Sequence, residues 1–355
     1  MKDMKNDVKR INLALQGGGA HGAFTWGALV RLLEDERIEI ASISGTSAGA
    51  LNGAALKAGL SCPETDDPRK NAIDMLNWLW TQIGAVQDLR MSAWINALGP
   101  LVGLMRDAYE ASPAFLVAEA ASGFMSPYMY GPAYRNPLDR IVGQLIFDNI
   151  CCTDRGPDFF VCTTRVRDGK SRVFRGGEIS VDTVLASACL PTIFQAVKIH
   201  DSQTGRDEFF YDGGYTGNPA LYPMFSAHLP DDIVIININP LERDELPTTP
   251  QEIANRVNEI SFNSSLLREL RAIAFVKRLL KTGQVPEGSM RDLHIHLIAD
   301  DEMMTELSVA TKLIPSPYLL GKLHKAGYAA ADAFLSEHFD TIGADSSVDT
   351  VKMFS

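Results

Sequence analysis

Residues 38–49 read IEIASISGTSAG, and residues 50–60 continue as ALNGAALKAGL. The first six residues are rich in isoleucine, as strands are, whereas alanine and leucine dominate from 48 onward, as in helices. The join is Gly45-Thr46-Ser47-Ala48-Gly49, so a strand turns sharply into a helix with a serine at the bend. Such a turn projects the hydroxyl above the sheet edge. Small neighbours let the backbone fold tightly, and the helix start points its positive end at negative charge developing nearby. Ser47 is therefore the candidate nucleophile, flanked by Gly45 and Gly49; as letters alone, Gly, Ser and Ala also make a plain β-to-α turn.

The same grammar occurs one unit earlier. Residues 11–15 (INLAL) are a short apolar run ending in Gln16-Gly17-Gly18-Gly19-Ala20-His21-Gly22, and a helical pattern follows over 22–33. Two successive strand–helix units imply a parallel sheet. Further strands are expected at 158–163 (DFFVCT), 172–174, 208–211 (EFFY), 233–238 (IVIINI) and 293–298 (LHIHLI). Several are near-continuous apolar runs, the mark of strands covered on both faces. The expected fold is α/β, a three-layer α/β/α domain with a mainly parallel central sheet. Long helical segments carrying Trp78, Trp80 and Trp94 suggest a helical insertion over about 66–140, and helices at 251–281 and 317–338 finish the fold. The motifs fall within 11–240 after a short lead, 1–10; residues 241–340 complete the same domain, and the polar tail, 341–355, is expected to be loose.

The glycine loop has two readings. As G-x-G-x-x-G (Gly17, Gly19, Gly22) it would cradle a pyrophosphate, with Glu39 near the spacing of a ribose-binding acid. As an oxyanion loop, its glycines would let bare backbone N–H groups approach a tetrahedral oxygen. The adjacent serine box favours the second. A third signal, Asp212-Gly213-Gly214, follows the EFFY strand: an acid held just beyond a buried strand, or a structural Asx turn.

QGGGAHG, GTSAG and DGG, in this order at strand ends, resemble the patatin-like phospholipase family. So do Ala186-Ser187-Ala188-Cys189-Leu190-Pro191, with Cys189 where that family's pattern has alanine, and Asn218-Pro219 shortly after DGG. The resemblance implies a patatin-like fold and metal-independent hydrolysis by a Ser-Asp dyad, in which Ser47 attacks the ester carbonyl and Asp212 takes its proton. It places Gly17, Gly18 and Gly19 on the oxyanion-hole glycines, with His21, Gly22, Gly45, Gly49, Gly213 and Gly214 as supporting motif positions. Two positions depart from it: the family usually has Asp before the glycines and Arg or Lys at the sixth position, where this chain has Gln16 and His21. A lone aspartate is a weak base unless desolvation raises its basicity, which Phe209, Phe210, Tyr211 and Tyr215 are placed to supply. A rival triad adds His294 or His296, which alternate with apolar residues and so share one strand face; the competing reading is two histidines that pack or face solvent.

The formal net charge of −11 removes long-range attraction for nucleic acid or anionic lipid. One stretch runs against it, with Arg268, Arg271, Lys277, Arg278 and Lys281 facing only Glu269, and reads as a solvated helix face. Five cysteines without C-x-x-C spacing suggest neither a disulfide framework nor a zinc site, and no metal or cofactor is implied. The first residues lack the apolar core of a signal peptide. The stretch 91–105 is broken by Gly99 and Pro100 and is short of the roughly 20 residues that span a bilayer. A cytoplasmic protein is expected, with 91–105 serving as a lid, a transient contact with a membrane surface, or a core helix pair. The function expected is a lipid acyl hydrolase of the phospholipase A or lysophospholipase kind. The alternatives are an esterase or depolymerase for other hydrophobic esters, and a non-catalytic lipid or nucleotide binder. Head group, chain length and oligomeric state have no sequence signal.

Overall fold

The computed structural model describes residues 8–85, 127–128 and 136–354, apart from 192, 245, 287, 308–310 and 313–314. The stretch 91–105 and Trp94 lie outside the described residues, as does most of the expected insertion.

In chain order the main elements are β1 (Lys9–Leu15), α1 (Gly22–Glu34), β2 (Ile38–Gly45), α2 (Ala48–Leu60), α3 (Pro68–Ala85), β3 (Asp158–Arg165), β4 (Ser171–Arg175), α4 (Val181–Ser187), β5 (Val197–Asp201), β6 (Arg206–Asp212), β7 (Asp232–Ile236), α5 (Pro250–Lys281), β8 (His294–Ile298) and α6 (Pro317–His338). The strands form one sheet in the order β5-β6-β3-β2-β1-β7-β8, with β4 on β3. Strands β3, β2, β1, β7 and β8 run parallel, and β4, β5 and β6 join antiparallel.

Strand periodicity builds the layers. On β1, Leu13 and Leu15 enter one core with residues of α1, α2, α3 and α6, while Ala14 enters the other with Leu266, Leu270 and Ile273 of α5. On β7, Val234 and Ile236 face the first core, Ile233 and Ile235 the second. Successive side chains point to opposite faces, so an unbroken apolar strand needs helices on both sides. The fold is the expected three-layer α/β/α arrangement.

One detail of the sheet positions the site. Phe160 and Val161 of β3 pair with both β2 and β4, and Thr163 and Thr164 with both β6 and β4. Strands β2 and β6 therefore share one edge of β3, end to end: Gly45 lies opposite Val161, and Asp212 opposite Thr163. The end of the serine strand meets the end of the aspartate strand.

Two expectations are corrected. Strand β5 was not foreseen, because VKIHD is short and half polar; it is fixed by its antiparallel pairing with β6 rather than by its own pattern. The tail is not loose where it begins: Gly343 N–H donates to Asp232 Oδ1 at 2.8 Å, and Ser347 N–H to the Ile295 carbonyl at 3.1 Å. Its hydroxyl and amide groups continue the edge of β8, which has no strand beyond it among the described residues.

Candidate active site

Ser47 caps α2 with φ 54° and ψ −122°, the one non-glycine residue with positive φ among those described. A left-handed serine costs on the order of 1–3 kcal/mol and survives only where its surroundings hold it. Here they do. The Ser47 amide donates to Ser187 Oγ at 3.0 Å, and that hydroxyl donates to the Cys162 carbonyl at 2.6 Å. Thr46 Oγ1 donates to the Gly217 carbonyl at 2.6 Å. Gly45 and Gly49 stand against each other across the turn, and Gly49 also meets the Leu15 carbonyl, leaving no room for a Cβ.

Asp212 is buried at the end of β6. Its amide donates to the Cys189 carbonyl at 2.8 Å, and Thr164 Oγ1 donates to its carbonyl at 2.8 Å. The segment Ala186 to Cys189 thus touches both residues, through Ser187 and Cys189. Gly214 N–H donates to Asp212 Oδ1 at 2.7 Å, while Oδ2 has no completed hydrogen bond. Burial pushes the carboxyl up to about 7; the Gly214 amide and the nearby Ser47 hydroxyl oppose the rise. Ser47 and Asp212 are thus neighbours where the ends of β2 and β6 meet.

The aromatic residues expected to dry this site divide by strand alternation. Phe210 is buried against Phe174 at 5.4 Å, and Phe209 faces solvent. The ring beside Asp212 comes from α5: Phe262 packs against Gly214 and meets Tyr215 edge-on at 5.6 Å. Gly213 sits on the Cys162 carbonyl.

Gly17 lies against the nucleophile: a Cβ built on it would fall 2.6 Å from Ser47 Cβ and 2.7 Å from the Thr46 carbonyl. Its amide was expected to be an oxyanion donor, but it donates to Asn218 Oδ1 at 2.7 Å and is already occupied. The amides of Gly18, Gly19 and Ala48 donate to no described residue. Gly19 adopts φ 59° with the Lys312 carbonyl where a Cβ would be, so side chains are excluded there twice over.

Behind the loop lies a polar network that the sequence did not disclose. Gln16 Oε1 accepts from Ile238 N–H (2.9 Å), Asn239 N–H (3.0 Å) and Asn239 Nδ2 (3.0 Å), while Gln16 Nε2 donates to Asn263 Oδ1 (3.0 Å). Asn239 Nδ2 also donates to the Gly17 carbonyl at 2.8 Å, and Lys312 Nζ donates to Asn239 Oδ1 at 2.8 Å. His21 is buried with Nε2 2.7 Å from Thr311 Oγ1, and Gly22 packs on Ala48.

The rival residues are elsewhere. His294 Nδ1 and His296 Nε2 lie 3.3 and 3.0 Å from Asp232 Oδ1, not near Asp212. Asp232 opens β7 four residues before Ile236, the row level with Leu15 and Gly45, so it lies about 13 Å down the strands at ~3.3 Å per residue. Glu39 pairs with Arg10 at 2.8 Å at the start of β2, the opposite end from the glycine loop, and cannot serve a nucleotide there.

A family model described as patatin-like phospholipase matches residues 13–224, the span from β1 past Asp212 and Asn218. The chain belongs to the patatin-like phospholipase family. That places it among lipid acyl hydrolases. Two solved structures are similar to it: VipD from Legionella pneumophila (14% identity, TM-score 0.41, covering 93% of this chain and 67% of that one), and the ExoU–SpcU complex of the Pseudomonas aeruginosa type III secretion system (19% identity, TM-score 0.29, 95% and 61%). The chain thus spans about three fifths of the latter, and neither score is high enough to bear on substrate or partner. No curated protein matches it.

Seen as a patatin-like site, the two departures acquire physical reasons. Gln16 accepts three hydrogen bonds and donates one; an aspartate has no donor for Asn263 Oδ1. His21 is buried with Nε2 against Thr311 Oγ1, a site that would have to desolvate a permanent cation; the next residue, Lys312, places its ammonium, which burial lowers to about 8, on Asn239 behind the loop. Asn239, Asn263 and Lys312 escaped sequence reasoning because lone polar residues in loops and helices carry no periodic or spacing signal; Ser187 was visible only as part of the segment 186–191.

Proposed function

We propose that this patatin-like protein hydrolyses carboxylic esters of phospholipids, lysophospholipids or similar lipids, with Ser47 as nucleophile and Asp212 as general base. One observation carries the reading: a serine held at positive φ on a helix N-terminus stands beside a buried aspartate that has one oxygen unpaired and a pKa near 7. Asp212 takes the proton as Ser47 Oγ bonds to the ester carbon. The carbonyl oxygen becomes an oxyanion facing the amides of Gly18 and Gly19, with Ala48 N–H at the start of α2 as a further donor. Collapse breaks the bond to the alcohol oxygen, which leaves with the proton from Asp212. Water then attacks the acyl-serine, Asp212 takes its proton and returns it to Ser47 Oγ, and fatty acid is released. Gly17 shapes the site by its close fit to Ser47 and by the hydrogen bond to Asn218, which fixes the loop.

The test is release of p-nitrophenol from short and long acyl esters, then of fatty acid from phospholipid and lysophospholipid, by wild type, Ser47→Ala, Asp212→Asn and His296→Ala. Activity abolished by the first two changes and kept by the third supports the dyad. Full activity in folded Ser47→Ala contradicts it.

A further inference from the structure

The long helix α5 has two unlike faces. Its inner face is accounted for by Phe262, Asn263 and Ser265 at the site and by Leu266, Leu270 and Ile273 in the second core. Its outer face is one stripe with steps of three and four residues, the helical period, passing through the half-buried Ser264 at its middle. The first half of that stripe is apolar: Ile253, Val257 and Ile260 are about half exposed, and Leu246 just before the helix is 82% exposed. The second half is basic, with Arg268, Arg271 and Arg278 exposed around Phe275, and Lys281 at the end. The Arg278 guanidinium lies 5.3 Å from the Phe275 ring centre.

The helix has three acids, and each is used elsewhere. Glu252 accepts the Thr248 and Thr249 amides at the N-terminus, Glu259 binds Arg243 at 2.6 Å, and Glu269 turns inward to accept the Leu221 and Tyr222 amides. In a chain of net charge −11, the second half of the helix gathers five cations with no free carboxylate of its own; Asp292, Asp345 and Asp349 line a groove on one side, where Lys277 pairs with Asp292 at 3.0 Å, and Arg268 lies outside that groove.

We propose that this outer face of α5 is the surface on which the protein lies against an anionic lipid bilayer. Ile253, Val257, Ile260 and Leu246 enter the boundary between headgroups and acyl chains, and Arg268, Arg278 and Lys281 pair with lipid phosphates. Charge complementarity identifies the occupant. A row of cations about 20 Å long, continuous with a row of short aliphatic side chains, fits a planar polar–apolar boundary. The placement suits the proposed reaction, on which its purpose rests: Phe262 of the same helix packs beside Asp212, so a bilayer on the outer face lies on the order of one helix diameter, 10 Å, from the site.

Binding is measured by sedimentation with vesicles of phosphatidylcholine alone or mixed with phosphatidylserine, using full-length Ser47→Ala protein so that no lipid is consumed. The parent is expected to bind the mixed vesicles, less so as salt rises, and to bind phosphatidylcholine weakly. Arg268→Glu/Arg278→Glu/Lys281→Glu should weaken binding on the order of a hundredfold. Ile253→Ser/Val257→Ser/Ile260→Ser should weaken it at least about tenfold. Circular dichroism of both variants, and turnover of a water-soluble ester by the same changes in the wild-type background, report folding. No binding to either vesicle, or binding that both variants leave intact, overturns the proposal. Vesicle binding in a protein whose wild type cleaves no ester keeps the docking surface and removes the hydrolase reading; ester cleavage without vesicle binding does the reverse.

Discussion

Asp212 closes β6 and Asp232 opens β7, and both are buried in the same sheet, yet they are held in opposite states. Burial raises both carboxyls. At Asp232 the hydrogen bonds from His294, His296 and the Gly343 amide outweigh it and keep the group well below the usual carboxylate range. At Asp212 the Gly214 amide and the Ser47 hydroxyl are too little, and the carboxyl stays up at about 7. Donor supply and depth of burial together separate them: Asp232 is the less deeply buried and has three donors for its charge, whereas Asp212 is fully buried and has fewer.

The comparison is broken most sharply at the site itself. Ser47→Ala should lower kcat for ester cleavage on the order of 10⁴-fold or more, in a protein that melts cooperatively like wild type. Asp212→Asn should lose on the order of 10³-fold in rate and gain stability, a pairing that a structural aspartate does not give. The folded pKa of about 7 stands above the unfolded 3.8, so the protein pays nothing below pH 3.8, an increasing penalty between the two values and the full one above about 7. Thermal melts at alkaline pH should therefore show Asp212→Asn as the more stable protein, by ~4 kcal/mol at most, with the difference gone near the unfolded pKa.

At Asp232 the signs reverse. Asp232→Asn should destabilise by about 3–5 kcal/mol at neutral pH while activity per folded molecule is kept. Its stabilisation is present above the unfolded pKa and lost as pH falls through the depressed folded one; that of His294, whose pKa its bond to Asp232 raises, is lost as pH rises through its folded value. Denaturant titrations at several pH values read both. The smallest expected effect sharpens the picture of the serine turn: Ser187→Ala leaves the Ser47 amide without its acceptor and should cost about 1–3 kcal/mol of stability, with a rate loss of about tenfold in steady-state assays.

The parts of this molecule legible in the sequence are those with a period or a fixed spacing. Ala48–Leu60 and Pro317–His338 have the helix bounds that their composition and caps announce, and the apolar runs at 11–15 and 233–238 read as strands between two helical layers, the second ending two residues early at Ile236. The turns that carry Ser47 and Asp212 were legible because glycines mark them: Gly45 and Gly49 around one, Gly213 and Gly214 after the other. What escaped is set by tertiary contact. Strand β5 exists through its partner β6, and the drying ring Phe262 arrives from a helix far along the chain. The occupied Gly17 amide depends on Asn218, about 200 residues away, which no local pattern reports.

The central claim is most directly tested by the rate at which a fluorophosphonate labels the protein as a function of pH, with the modified residue mapped by mass spectrometry. The account predicts one label on Ser47, a rate that climbs through about pH 7 as Asp212 ionises, and the same profile in His296→Ala. A label on another residue, or a rate on Ser47 that is flat through neutral pH and unchanged in Asp212→Asn, would contradict it.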